Sequence, residues 1–316
     1  MNTSCQVTYL AKSAYSHLKI ISSQVPLDEA LSNPELSENE KEKIKLTLKV
    51  RSFIDQDLGL NVGKNYSTFV LLDKPYPVYV LQAAEPWELK SYQWWFPIVG
   101  HVPYKGYPTL EIAQKEADLI KDKYDVYVRP VPAYSTLGWL KDPLLSSMLK
   151  YKDHDLVNML IHESVHATIF IKDDADFNER LATFLGNKGT ELFYLKHEGP
   201  NSKTLELIQK ENYDDRKFSD FISQELELLT EWYKEQKNKN VQDPNLKAQR
   251  LMQIQENFEK SLRSQMKSLN YGSFKSKSLN NAILLSYKTY MYDFSTLEKQ
   301  YQESNQDFKI FLKRWQ

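Results

Sequence analysis

Cysteine is nearly absent from the sequence, which contains a single one, Cys5, among 316 residues. One thiol cannot form a disulfide within the chain, so disulfide-stapled folds are excluded, although an exported location is not. No apolar run reaches the roughly 18 residues that a membrane-spanning helix needs. Only Met1 to Ser4 precede Cys5, without a basic start or an apolar stretch, so no signal peptide is recognised.

An excess of one charge is also lacking. The 41 Lys and Arg residues face 42 Asp and Glu residues, which leaves a formal net charge of −1. The chain therefore has no global basic field that would attract nucleic acid or an anionic membrane surface. We expect no nucleic-acid partner.

The composition is that of a soluble globular protein, with 41% hydrophobic and 26% charged residues. A chain of this length buries one sizeable core or two smaller ones. Three segments differ in their predicted secondary structure: a helical N-terminal segment at 1–60, a β-rich subdomain at 61–150 and a helical region at 151–316. We expect them to form one continuous unit.

Local patterns predict several elements before the helical region. Ser37 and Glu40 have the spacing of a capping box at the start of a helix. Apolar and aromatic runs predict strands, and apolar residues at helical spacing predict a helix between the last two of them. The predicted strands are 66–71, 78–81, 94–99 and 124–128, with the helix near 110–120. This order predicts a small mixed sheet.

The most informative stretch lies in a predicted buried helix, which has apolar residues at Val157, Ile161 and Val165. His162 and His166 are four residues apart, so both imidazoles leave one face of that helix and can share a zinc ion. Glu163 is rotated by about 100° from His162, which places its carboxylate beside the metal rather than on it. From there Glu163 can act as a general base towards water.

A catalytic zinc site needs a third protein ligand, and Glu179 is the candidate. Residues 172–175 form a turn that can bring a second helix, starting near Asp176, back towards the two histidines. An alternative reading makes Asp176 and Glu179 a capping pair with no metal role. His101, His154 and His197 are the fallback ligands if Glu179 does not bind.

The two motifs together, His162-Glu163-x-x-His166 and Asn178-Glu179-x-x-Ala182, resemble the glutamate-zincin metallopeptidase pattern. More closely, the chain resembles a family of bacterial aminopeptidases that are predicted to be zinc-dependent lipoproteins. The other stretches that carry this resemblance are 96–100, 104–107, 124–128, 132–139, 142–146 and, more thinly, 279–282. The chain departs from related enzymes in the short spacing of twelve residues between His166 and Glu179. It also lacks the lipoprotein signal before Cys5.

The resemblance implies an α+β, mostly helical zincin-like fold, with a small mixed β-sheet preceding a zinc-binding helix pair. It implies one Zn²⁺ per chain and a peptide substrate. It further implies an exported protein, periplasmic or anchored to a membrane by lipid on Cys5; without an upstream signal sequence the protein is cytoplasmic. Candidate donors to an oxyanion are Tyr134, Tyr287 and Tyr290.

The function expected from these observations is zinc-dependent peptide hydrolysis by an aminopeptidase, with Glu163 as the general base. Two alternatives stay open. One is a non-catalytic, peptidase-like scaffold that binds a partner protein or peptide through its helical C-terminal half. The other is zinc-dependent hydrolysis of a non-peptide ester or amide by the same residues.

Overall fold

The computed structural model describes residues 20–96, 100–132, 141–172, 174–288 and 293–315. Helices dominate, with small sheets between them, which confirms the predicted α+β class. The helices are α1 (Leu27–Ala30), α2 (Glu38–Phe53), α3 (Leu110–Asp118), α4 (Asp153–His166), α5 (Ala175–Glu198), α6 (Lys203–Asn238), α7 (Pro244–Asn257), α8 (Asn281–Lys288), α9 (Ser295–Glu303) and α10 (Phe308–Leu312). The strands are β1 (Val25–Pro26), β2 (Thr68–Val70), β3 (Val78–Ala84), β4 (Trp94–Phe96), β5 (Gly100–Val102), β6 (Tyr104–Tyr107), β7 (Asp125–Val131) and β8 (Leu144–Leu145).

The chain divides into two compact units, each built from stretches that are not consecutive in the sequence. The first unit comprises Met1–Pro77, Val131–Leu205 and Asp293–Gln316. The second unit comprises Val78–Pro130 and Glu206–Tyr292. The division of the sequence into segments at 1–60, 61–150 and 151–316 stays a prediction.

The described strands form three small sheets. In the first unit β2 pairs antiparallel with β1 and parallel with β8, so this sheet is mixed. Of the four predicted strands only 66–71 contributes to it, through β2. In the second unit a sheet has the order β6-β3-β7, and β4 and β5 form a two-stranded hairpin. Both residues of β8, Leu144 and Leu145, are buried.

Helix α2 begins with the predicted capping box. The Ser37 hydroxyl accepts a hydrogen bond from the Glu40 amide, and the Glu40 carboxylate accepts one from the Ser37 amide. Two of the donors at the helix start are thereby satisfied. Helix α4 packs against α2 and α5, with Leu156, Leu160 and Ile161 fully buried between them.

The C-terminal helices of the first unit pack against α5 through aromatic rings. Phe184 of α5 lies 5.9 Å from Tyr301 and 5.7 Å from Phe311, measured between ring centroids. These edge-on and tilted contacts are the arrangements that aromatic pairs prefer. They attach α9 and α10 to the middle of α5.

The second unit has its own core on α6, where Phe218, Ile222 and Leu229 are buried together with Phe258 of the π-helical turn after α7. A buried polar network ties this unit together: the Asp125 carboxylate accepts hydrogen bonds from the Lys247 ammonium at 2.6 Å and the Asn281 amide at 2.8 Å. Within the described residues, no helix combines the length and the apolar character that a membrane crossing requires.

Candidate metal centre

Helix α4 presents His162 and His166 on one side. Their Nε2 atoms lie 3.2 Å apart, and the ring planes are 78° apart, so the rings are not stacked. The opposite side of α4 is held in the core by Leu160 and Ile161. The two imidazoles remain partly accessible, with 20% and 25% of their side-chain surface exposed.

Helix α5 brings Glu179 to the same point. Its Oε1 lies 3.3 Å from Nε2 of His166, and its Oε2 lies 3.5 Å from Nε2 of His162. The helix is capped by Asp174, whose carboxylate accepts a hydrogen bond from the Phe177 amide. The alternative reading, in which Asp176 and Glu179 cap the helix, is therefore wrong, because Glu179 lies beyond the orphan amides of the first turn.

Small residues on α5 explain how the two helices come close enough. Glu179, Ala182, Gly186 and Gly189 recur at three- and four-residue spacing, so they share the face that packs on α4. A Cβ at Gly186 would lie 3.4 Å from the Cβ of His162, and one at Gly189 would lie 2.9 Å from Cγ2 of Ile161. Because Gly186 and Gly189 have no side chains, α5, and with it Glu179, can approach α4 closely.

The donor atoms of these three residues have the chemistry and the spacing of a zinc site. Zinc binds histidine nitrogen and carboxylate oxygen at about 2.0–2.2 Å in tetrahedral geometry, which puts ligand atoms about 3.3 Å apart. The separations among the Nε2 atoms and the nearest Glu179 oxygens are 3.2, 3.3 and 3.5 Å. The set of His162, His166 and Glu179 therefore fits this ion. It leaves a fourth position for a water molecule or a substrate.

The electrostatics of the three groups follow from their mutual contacts. Hydrogen bonds from His162 and His166 hold the pKa of the Glu179 carboxyl far below its usual range. Burial opposes a charge on His166, but the hydrogen bond to Glu179 and the charges of Glu179 and Glu163 together raise its pKa. The carboxylate form of Glu179, the form that binds a metal, is thus favoured.

Glu163 directly follows the ligand candidate His162 and is half-buried. Burial raises its pKa, while the neighbouring His162 and His166 partly offset that rise. A carboxylate with a raised pKa is a stronger base than an exposed one.

Two residues near Glu163 were not assigned any role from the sequence. Tyr66 is buried, and its pKa is raised well above the usual value, by burial first and then by the charges of Glu163 and Asp142. Its backbone has a φ of 54°, in the left-handed region, and its amide donates to the Asp142 carbonyl at 2.7 Å. A positive φ at a bulky residue is rare. It distinguishes Tyr66 in the structure, but nothing in the sequence indicates it.

Within the described residues, the group of possible metal ligands formed by His162, His166 and Glu179 includes none of the fallback histidines. His197 is 18 residues after Glu179 on α5, which corresponds to roughly 27 Å along the helix; its Nδ1 pairs with the Phe193 carbonyl. His154 is in the first turn of α4, buried, with Nε2 3.5 Å from the Asp155 carboxylate. His101 is an exposed residue of β5 in the second unit.

The tyrosines proposed as oxyanion donors are only partly described. Tyr134 and Tyr290 lie outside the described residues, as does Cys5. Tyr287 belongs to the second unit, where its hydroxyl accepts a hydrogen bond from the Lys277 ammonium at 2.7 Å. It also packs against Phe218 and Phe274, which is the contact pattern of a core residue.

Comparison with known proteins gives one match. A family model described as "Putative aminopeptidase" matches the chain over residues 8–316, a range that contains all four residues of the centre. No curated protein and no solved structure matches the chain.

Proposed function

The chain belongs to this aminopeptidase family, and we propose that it is a zinc-dependent hydrolase that removes residues from the N-termini of peptides. The observation that carries the zinc assignment is the convergence of donor atoms from three residues of α4 and α5, at separations of 3.2–3.5 Å. Two histidines and one carboxylate with an open fourth position are the donor set of catalytic rather than structural zinc.

In this proposal His162, His166 and Glu179 hold the ion, one per chain. A zinc ion there would supply a Lewis acid for a peptide carbonyl and for water. Glu163 accepts a proton from the attacking water molecule and delivers it to the nitrogen that leaves when the C–N bond breaks. Its half-buried position, directly after His162, keeps the carboxylate beside the ligands without using it as one.

The metal assignment predicts a specific pattern of zinc content. Purified protein binds about one zinc per chain, and His162→Ala and His166→Ala each abolish or strongly weaken that binding, because two ligands alone hold zinc poorly. His197→Ala is the matched control, since this histidine lies at the far end of α5 and should not affect the metal. Metal analysis after dialysis measures the zinc content of the parent protein and of each variant. Stoichiometric zinc in the His162→Ala/His166→Ala double variant contradicts the assignment.

We also propose that the protein is exported and attached to a membrane by lipid on Cys5. This proposal rests on the resemblance to lipoproteins and on Cys5, the single cysteine of the sequence. A single acyl chain gives only weak membrane binding, so stable attachment needs more than one.

A further inference from the structure

A buried asparagine immediately precedes Glu179. Asn178 is 6% exposed. Its side-chain oxygen accepts a hydrogen bond from the Ile171 amide at 2.9 Å, and its side-chain nitrogen donates to the Ile171 carbonyl at 2.7 Å. The amide group of this one side chain thus satisfies both backbone groups of Ile171, as a neighbouring β-strand would.

Ile171 lies in the segment that joins the two metal-binding helices. Helix α4 ends at His166 and α5 begins at Ala175. On the α4 side, the Thr168 hydroxyl donates to the Ser164 carbonyl at 2.6 Å and accepts from the Asn61 amide at 2.8 Å. On the α5 side, the hydrogen bonds between Asn178 and Ile171 hold the connection. Hydrogen bonds therefore fix it on both sides.

The position of Asn178 makes this contact relevant to the ligands. Asn178 precedes Glu179 directly, and its backbone amide donates to the carbonyl of the cap residue Asp174. Any shift of the first turn of α5 would move the Glu179 carboxylate away from the imidazoles. Metal sites tolerate little such movement, because ligands must be held within about 0.5 Å of their productive positions.

We propose that Asn178 is a positioning residue of the metal centre, which fixes the first turn of α5 against the α4–α5 connection so that Glu179 meets His162 and His166. Asn178 is not itself a ligand, because both polar atoms of its side chain are used by Ile171. The inference rests on the proposed zinc function. It explains why an asparagine stands before the glutamate: Gln is too long for this contact and Asp lacks the donor.

The test is a zinc titration of metal-free protein, with dissociation constants measured well below each variant's melting temperature. Asn178→Ala should bind zinc roughly 10- to 100-fold more weakly than the parent, the usual effect of losing a group that orients a ligand. Asn158→Ala is the matched control. It removes a 2.8 Å hydrogen bond to Asn187 that also joins α4 to α5 but does not involve the connection. It should lower the melting temperature and leave zinc affinity within about twofold of the parent.

Cobalt(II) in place of zinc gives a second readout that a general loss of stability does not change. The visible spectrum depends on coordination number and geometry, so Asn178→Ala should alter it and Asn158→Ala should not. Equal zinc affinity and an identical cobalt spectrum in Asn178→Ala and the parent would overturn the inference while leaving the zinc site intact. A parent protein that binds no zinc would instead overturn the proposed function, and this inference with it.

If Asn178→Ala does not fold, Asn178→Asp decides the matter. It keeps the acceptor for the Ile171 amide and loses the donor to the Ile171 carbonyl. Its added negative charge favours cation binding, so weaker zinc binding at a pH well above the histidine range is assigned to the loss of the contact with the Ile171 carbonyl. Affinity equal to or above that of the parent would overturn the inference.

Discussion

Glu163 follows His162 on α4, so its carboxylate leaves the helix about 100° from the direction of that imidazole. In the proposed mechanism this separation gives the carboxylate a role distinct from that of the ligands. Replacing Glu163 by Gln keeps the size of the side chain and removes the base. Peptide hydrolysis should then fall by roughly 10²- to 10⁴-fold, the usual share of general-base catalysis, while zinc content stays at the parental level.

The comparison for Glu163→Gln is Asp176→Asn, which also neutralises one carboxylate close in sequence to the ligands. Asp176 is exposed in the first turn of α5 and caps nothing. Initial rates on a peptide substrate should be unaffected in this variant. Parental turnover in Glu163→Gln would remove Glu163 from the mechanism and point to another base.

The pairing of α4 with α5 depends on Gly189. A Cβ there would lie 2.9 Å from Cγ2 of Ile161 and 3.0 Å from Cδ1 of Leu58, and the branched Ile161 side chain cannot turn away freely. Gly189→Ala should therefore lower the free energy of unfolding by about 1 kcal/mol, because an overpacking cost of about 1–3 kcal/mol exceeds the helix-propensity gain of about 1 kcal/mol. Urea denaturation measures this difference.

Gly186→Ala provides the graded comparison, since the nearest atom to its added Cβ, Oδ1 of Asn158, is 3.3 Å away. Its effect on stability should be smaller than that of Gly189→Ala. If Gly189→Ala is at least as stable as the parent, close packing at this position is not what brings the helices together.

Local features of the two helices were predictable from the sequence. The capping box at Ser37 and the shared face of His162 and His166 depend only on residue spacing along one helix. The choice of Asp174 over Asp176 as the cap of α5 was not predictable, since both aspartates precede helix-forming residues and packing decides between them. The contact of Asn178 with Ile171 was not predictable either, because it crosses a turn. From the sequence, a helical glycine such as Gly189 indicates only a less stable helix, and its packing role appears once its neighbour is known.

At the scale of the whole molecule, the residues of the proposed metal centre all belong to one unit. His162, Glu163, His166 and Glu179 lie within Val131–Leu205, the middle stretch of the first unit. That unit also includes the C-terminal helices, whose Tyr301 and Phe311 pack on Phe184 of α5. Residues far along the chain thereby support the helix that carries Glu179.

The proposed lipid anchor concerns the molecule in the cell. Expressed from its own gene, the protein should incorporate a labelled fatty acid and fractionate with membranes, whereas Cys5→Ser should do neither, because Cys5 is the only cysteine. Unlabelled parent protein in the soluble fraction would contradict the anchor. It would leave the metal centre unaffected.

The central claim is that this chain hydrolyses peptides with zinc, and a digest of a mixed peptide library read by mass spectrometry tests it most directly. The parent protein should shorten peptides stepwise from their N-termini. A chelator should stop this, and added zinc should restore it, because the open position of a His₂Glu site is catalytic only with the metal in place. Absence of any cleavage by the zinc-loaded protein, or cleavage that continues unchanged after the metal is removed, would contradict the account.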